Sequence, residues 1–434
     1  VRIGEMNLSM RTGLYFDGCN LRDLASKYGT PLYVVSKSII KDRCREIRRG
    51  FLDRYANSRA YYAGKAFLTI AMCRLIKKEG LGLDVVSGGE LHLALKANFP
   101  AANIVLHGNN KLRQEIETAI DRGVGRIVVD WEGELDLINE IASSKGRRAS
   151  VLLRVTPEVE ALTHKYIQTG HRGSKFGIPL ERVPYLVEKS LSMEHIALKG
   201  LHFHLGSQIE DHRPYVQAID VVTELMANLE SDKGFILEEL DIGGGFGIGT
   251  YGDASSKPLS YFVDPVMERL RGRCSAFGLP LPSVAIEPGR WIVGEAGITL
   301  YTIGAIKEIA GSTTYISVDG GMADNPRPAL YGAKYDAEVV GKEGLPKDRI
   351  VTVAGRCCES GDILIENLPV PGDVRPGDLL AVFNTGAYNY SMASNYNMLP
   401  KPAVVFVENG RDFLAVERET YDDLLVKQKS ICDD

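Results

Sequence analysis

Eight short apolar runs recur through the first two thirds of the chain, and each gives way at its end to a polar, charged or glycine residue. They are Ala60–Ala63 before Lys65, Leu81–Leu83 before Asp84, Ile104–Leu106 before His107, and Ile127–Val129 before Asp130. The series continues with Val151–Leu153 before Arg154, Leu201–Phe203 before His204, Leu240–Ile242 before Gly243-Gly244-Gly245, and Val284–Ile286 before Glu287. Helix-length stretches separate them, among them Leu68–Glu79, Lys111–Asp121, Glu132–Ser144 and Tyr215–Leu229. An eightfold βα alternation predicts a (β/α)₈ barrel of the TIM type, a fold that gathers its functional residues at the C-terminal strand ends.

After Glu287 the texture changes to β-rich runs separated by Gly and Pro turns. Thr299–Ile309, Thr314–Asp319, Ile350–Ala354, Leu379–Phe383, Pro402–Glu408 and Asp412–Arg418 follow one another without a useful helical period until Tyr421–Lys427. That pattern predicts a second, all-β domain. The extended run Pro31–Val35 precedes every barrel strand and is expected to pair with it. The expected division is a barrel over 35–285 and a discontinuous β-sandwich or β-barrel domain from 1–34 plus 286–434. Two domains suit 434 residues with 44% hydrophobic content. Gly249–Pro258 is the expected mobile surface loop.

Composition narrows the partners. Every apolar run falls far short of the roughly 20 residues that span a bilayer, and no signal peptide is visible. Seven scattered cysteines without a CxxC pair suggest neither a disulfide framework nor zinc, so a reducing cytoplasm is expected. A net charge of −5 gives no electrostatic reason to bind nucleic acid, and Arg43–Arg49 reads as a solvated helix face. A small molecule is the expected partner.

The strand ends say which kind. Alone, Lys65 reads as a lysine whose head reaches solvent at the rim, but an apolar wall there would desolvate its ammonium and favour nucleophilic use. Gly243-Gly244-Gly245 serves a tight βα turn, yet its place after the seventh strand favours a phosphate held by backbone N–H groups. Glu287 reads either as a structural partner of Arg154 or Arg290, or as a carboxylate beside a pyridine nitrogen. Alternation sets His202 and His204 on one face. They could be half of a metal site, but the fourth and fifth strand ends add only Asp130 and Arg154, so no metal is expected and a flat imidazole against a ring is the economical use. Cys357 and Cys358 read as buried small hydrophobes or, with Glu359 and Asp362 beside them, as an accessible loop suited to a thiol proton donor. Arg327, on a proline-stiffened connection before Tyr331, reads as a surface arginine or as a carboxylate reader.

Together these residues resemble the fold-type III pyridoxal-phosphate decarboxylases, whose barrel and β domain are of the alanine-racemase kind. The match runs from about Pro31 to about Pro402. It passes through Tyr62–Ala66, Asp84–Glu90, His202–Gln208, Asp241–Gly245, Glu287–Arg290, Arg327–Tyr331, Cys357–Asp362 and Asn384–Tyr388. The resemblance implies that Lys65 carries pyridoxal 5′-phosphate as a Schiff base, that His204 stacks on the ring and that Glu287 meets the pyridine nitrogen. It implies that Ser207, Gly243, Gly244, Gly245, Gly289, Arg290 and Tyr388 hold the phosphate, with Asp84 and Arg154 near the ring. Substrate readers would be Arg290, Arg327, Tyr331, Glu359 and Tyr388, and Cys358 the proton donor, its loop coming from the neighbouring subunit of a two-fold homodimer.

Within the family, Arg327 and Glu359 point to the branch that decarboxylates meso-2,6-diaminopimelate to L-lysine. An arginine closed into a site without a carboxylate partner is costly, which argues against simple diamines. His164–Gly170 and Ser174–Gly177 also resemble that branch, where this loop covers the site. The competing readings are a decarboxylase of D-lysine, D-ornithine or carboxynorspermidine, a racemase of the same barrel class, and a non-catalytic regulator. Retention of Lys65, His204, Glu287 and Cys358 speaks against the last.

Overall fold

Parallel pairing closes the eight apolar runs into a barrel. In the computed structural model, which describes residues 14–159, 174–249 and 257–430, the strands are β1 (Arg59–Ala63), β2 (Gly82–Val85), β3 (Ile104–Leu106), β4 (Arg126–Val129), β5 (Ala149–Thr156), β6 (Ile196–His202), β7 (Glu239–Asp241) and β8 (Ser283–Ile286). Each pairs in parallel with the next, and β8 returns to β1 through Ala285↔Arg59 and Ile286↔Ala60. Tyr61, Val105, Val128, Leu152 and Ala285 point inward as a buried layer, so the barrel is a packed core rather than a pore.

The intervening helices start where the sequence supplies a cap. Thr69 accepts from the Met72 N–H to begin Ile70–Lys78, and Ser87 accepts from the Glu90 N–H to begin Gly88–Lys96. Each such cap is worth about 1 kcal/mol. Gly123 and Gly234, in left-handed conformation, end the helices Arg113–Arg122 and Arg213–Lys233. The barrel unit comprises Asp42–Ile248 with Ser255–Ile292, and the remainder forms a β unit.

In the β unit the 12-residue strand Gly297–Glu308 is the spine. Its first part pairs antiparallel with Leu32–Ser36 and with Leu379–Val382, and its second part with Thr314–Val318. Leu32–Ser36 also pairs in parallel with Ala403–Val407. Two cores result. One packs Leu21 and Leu24 against Leu32, Val34, Leu300 and Val405; the other gathers Tyr301, Ile316, Val353, Leu364 and Val382. Arg327–Tyr331, expected as a loop, is instead a short helix with Pro328 in its first turn. A proline there loses no hydrogen bond and its fixed φ suits the helix, so the residue that reads as a loop stiffener starts a turn of helix.

The six described cysteines are free, and no described helix is long and apolar enough to cross a membrane. His164–Gly170 and most of Gly249–Pro258 lie outside the described residues.

Candidate active site

At the C-terminal rim, β1 tightens into one 3₁₀ turn, Gly64–Ala66, which carries Lys65. A Cβ on Gly64 would stand 2.9 Å from the Asp84 carbonyl, so only glycine lets the turn lie against β2. Asp84 is buried at the end of β2, and burial raises its pKa against the opposing pull of His107 and Lys65.

The glycine turn after β7 is wedged between neighbouring strand ends. A Cβ on Gly244 would lie 2.0 Å from the Glu287 carbonyl, and one on Gly245 2.1 Å from the Gly206 carbonyl. Two of its N–H groups are spent internally: Gly243 donates to Asp241 Oδ1 at 2.8 Å and Gly244 to His204 Nδ1 at 3.2 Å. The Gly245 N–H makes no hydrogen bond among the described residues. Next to Gly206, Ser207 Oγ accepts from Arg290 Nη2 at 3.2 Å. Gly245, Ser207 and Arg290 thus form a cradle for an anion, with fewer backbone donors than three glycines suggest. Gly289 backs it, since a Cβ there would stand 3.0 Å from that of Ala63.

His204 is held by the same turn. Because its Nδ1 accepts from Gly244, its proton sits on Nε2, and burial, with Lys65 adding to it, holds its pKa well below the ordinary value. The ring is neutral and fixed in orientation. Arg154, the β5 side chain expected near the ring, lies over the Phe176 ring at 4.5 Å and 3.8 Å from Asp130.

Glu287, just past β8, is 5% exposed. Its hydrogen-bond partners are neither Arg154 nor Arg290 but two imidazoles: His107 Nε2 at 2.6 Å from Oε1 and His202 Nε2 at 3.2 Å from Oε2. Burial alone would raise its pKa, yet the two histidines hold it well below the carboxylate range. His202, pushed down to about 3 by burial, is neutral, and its Nδ1 has no partner among the described residues. His107, His202 and Glu287 also make a metal-ligand donor set. Ligands on one zinc ion stand roughly 3.3 Å apart, whereas His107 and Glu287 are closer and bonded to each other. His107, which follows β3 as His204 follows β6, is a site residue that the sequence marks only by its place at a strand end.

Glu90 is a second residue that sequence reasoning gave no role. Its Oε2 accepts from the Val86 N–H at 2.8 Å, and burial, with Asp84 adding to it, pushes its pKa up to about 7 from 4.5. The folded chain therefore holds a proton between those values that the unfolded chain releases. Stability from this group is full below about pH 4.5 and is lost as pH rises through 7. Glu90→Gln is expected to flatten the stability profile over that window and to stabilise the protein at pH 8 by on the order of 2 kcal/mol. Thermal melts from pH 4 to pH 8 check it.

In the β unit, Asp362 fixes the cysteine loop by accepting from the Met322 N–H at 2.6 Å and the Cys357 N–H at 2.7 Å. Cys357 is buried, which with Asp362 pushes its thiol up to about 11. Cys358 and Glu359 are exposed, and the Cys358 N–H donates to Asn397 Oδ1 at 2.7 Å. Arg327 is 7% exposed, and its guanidinium lies over the rings of Tyr331 at 5.1 Å and Tyr388 at 5.3 Å. It has no carboxylate within ion-pair distance among the described residues.

A parallel barrel whose rim brings together a lysine, an anion cradle, a neutral fixed imidazole and an ionised buried carboxylate is the layout of a pyridoxal-phosphate enzyme. Residues 38–294 match the family described as "Pyridoxal-dependent decarboxylase, pyridoxal binding domain". A diaminopimelate decarboxylase of Bacillus subtilis is 46% identical over 414 residues, covering 95% of this chain and 94% of its own. The crystal structure of diaminopimelate decarboxylase from M. jannaschii in co-complex with L-lysine superposes with a TM-score of 0.90 at 34% identity, covering 97% of each chain. That of Helicobacter pylori, also complexed with L-lysine, gives 0.86 at 30% identity, over 94% of this chain and 98% of the other. The chain belongs to the diaminopimelate decarboxylases, within the pyridoxal-dependent decarboxylase family.

Proposed function

We propose that this chain decarboxylates meso-2,6-diaminopimelate to L-lysine and CO₂ with pyridoxal 5′-phosphate as cofactor. One observation carries the substrate class: Arg327 is buried and stacked on two tyrosines with no carboxylate of its own among the described residues. A buried guanidinium left unpaired is costly, so a substrate that brings a second carboxylate is favoured over a simple diamine.

The cofactor fits the barrel rim on two observations. Ser207 Oγ and Arg290 Nη2 stand together at 3.2 Å, and the Gly245 N–H, on a turn packed against the neighbouring Gly206, makes no hydrogen bond among the described residues. Lys65 would hold the cofactor covalently, Gly243–Gly245, Ser207, Gly289, Arg290 and Tyr388 its phosphate, His204 its ring face and Glu287 its ring nitrogen. When bound, the protonated ring supplies a sink for the electron pair left by the departing carboxylate.

The remaining work belongs to the chain. Arg290, Arg327, Tyr331, Glu359 and Tyr388 orient the substrate by its distal carboxylate and ammonium, so that the α-carboxylate at the D-configured carbon is the one lost. Glu287, kept ionised by its imidazoles, holds a proton at the ring nitrogen. His204, neutral, packs without adding charge. Asp84 and Arg154 balance charge around the ring. Cys358 delivers the proton that replaces CO₂ at the same carbon, and its exposure with Glu359 supports a loop that reaches the site of a second copy, the unit of activity being a two-fold homodimer.

The cofactor-loaded protein should release L-lysine from meso-diaminopimelate and leave L-ornithine, L-lysine, D-lysine, D-ornithine and carboxynorspermidine untouched, as read by chiral chromatography. Turnover of a diamine precursor in its place would overturn the reading of Arg327, and epimerisation without CO₂ release would make the protein a racemase.

A further inference from the structure

The Glu287 carboxylate is gripped at both oxygens, and the two grips differ. His202 approaches Oε2 at 3.2 Å and leaves its own Nδ1 unpartnered among the described residues; His107 approaches Oε1 at 2.6 Å and stands 3.8 Å from Asp84 as well. The rings meet edge to face, 4.8 Å between centroids at 64°, so neither can turn without displacing the other. His107 is also held through its backbone. Its N–H donates to the Val85 carbonyl at 2.8 Å, and the segment behind it is tied down by Lys111, whose buried Nζ donates to Gly108 O at 2.8 Å and to Glu134.

A glutamate carboxylate, carried on three side-chain torsions, loses freedom when it must meet a ring nitrogen along one line, and a short, rigidly mounted donor removes that cost in advance. We infer that His107 is the positioning residue of Glu287, its Nε2–H fixing the rotation of the carboxylate that receives the cofactor's ring nitrogen. The inference rests on the reading of Glu287 given above. His107 touches neither cofactor nor substrate in this role; it acts through Glu287.

The test compares His107→Leu, His107→Gln and Glu287→Gln as purified proteins titrated with pyridoxal 5′-phosphate. His107→Leu is expected to raise the cofactor Kd about 10- to 100-fold, the effect of losing one hydrogen bond to a buried charge, to shift the visible band of the loaded protein, and to lower kcat with KM little changed. His107→Gln, which keeps an N–H donor near the same place, should recover the affinity to within about fivefold. Should the leucine variant not fold, His107→Ala carries the same expectation. A wild-type Kd and band in the donor-less variant would overturn the inference, as would a glutamine variant no better than leucine at equal thermal stability, which would make His107 a packing residue. If Glu287→Gln itself leaves Kd and band unchanged, the reading of Glu287 falls. If that variant changes both while His107→Leu changes neither, only the positioning role falls.

Discussion

Lys65→Ala, purified with pyridoxal 5′-phosphate present, is expected to lose the visible band of lysine-bound cofactor and to fall in kcat by on the order of 10³-fold or more. The loss is chemical rather than structural. Lys65 sits at the rim on a three-residue turn that Gly64 lets lie against Asp84, and the fold is expected to survive the substitution, as far-UV circular dichroism would show. Mixing this variant with Cys358→Ala tests the shared site as well. If the cysteine loop serves a second copy, random re-pairing gives half mixed dimers, each with one intact site, and activity should return to about a quarter of wild type. No recovery would place Lys65 and Cys358 of the same copy in one site. An unchanged spectrum in Lys65→Ala alone would remove the lysine from its role.

The second large effect belongs to Arg327. Arg327→Met keeps much of the length and apolar body of the side chain while deleting the guanidinium. With a charge-assisted, two-point contact to the substrate's distal carboxylate gone, kcat/KM for meso-diaminopimelate should fall about 100-fold or more, chiefly through KM. Stability should stay level or rise, because a buried charge with no carboxylate partner among the described residues has been replaced by an apolar group. A variant that loses stability while keeping its KM would make Arg327 a structural residue of the β unit.

The barrel was legible because its signal is local. Each strand announces itself within a few residues, and β8 closing on β1 is only the sum of eight such signals. The residues that follow each strand were legible for the same reason, and Lys65, His204 and Glu287 all lie at the rim. What the sequence hid was pairing across distance. Nothing near Glu287 signals that its partner is His107, 180 residues earlier, and charge alone suggested Arg154 or Arg290. The glycine turn misled in a subtler way. A run of glycines advertises available N–H groups, but whether they face a ligand or a neighbouring acceptor depends on Asp241 and on the His204 ring folding over them. Glu90 was equally invisible, because its burial beside Asp84 is set by packing rather than by spacing.

The Glu287 N–H donates to the Gly243 carbonyl at 2.8 Å, and the Glu287 carbonyl fills the space where Gly244 lacks a side chain. The element proposed to grip the phosphate and the one proposed to govern the ring are therefore a single stiff piece of backbone. Neither can be retuned alone: any residue that widened the turn would push the carboxylate off its imidazoles. Divergence toward new substrates is thereby channelled away from this joint and onto side chains such as Arg327 and Glu359, which can be exchanged without disturbing it.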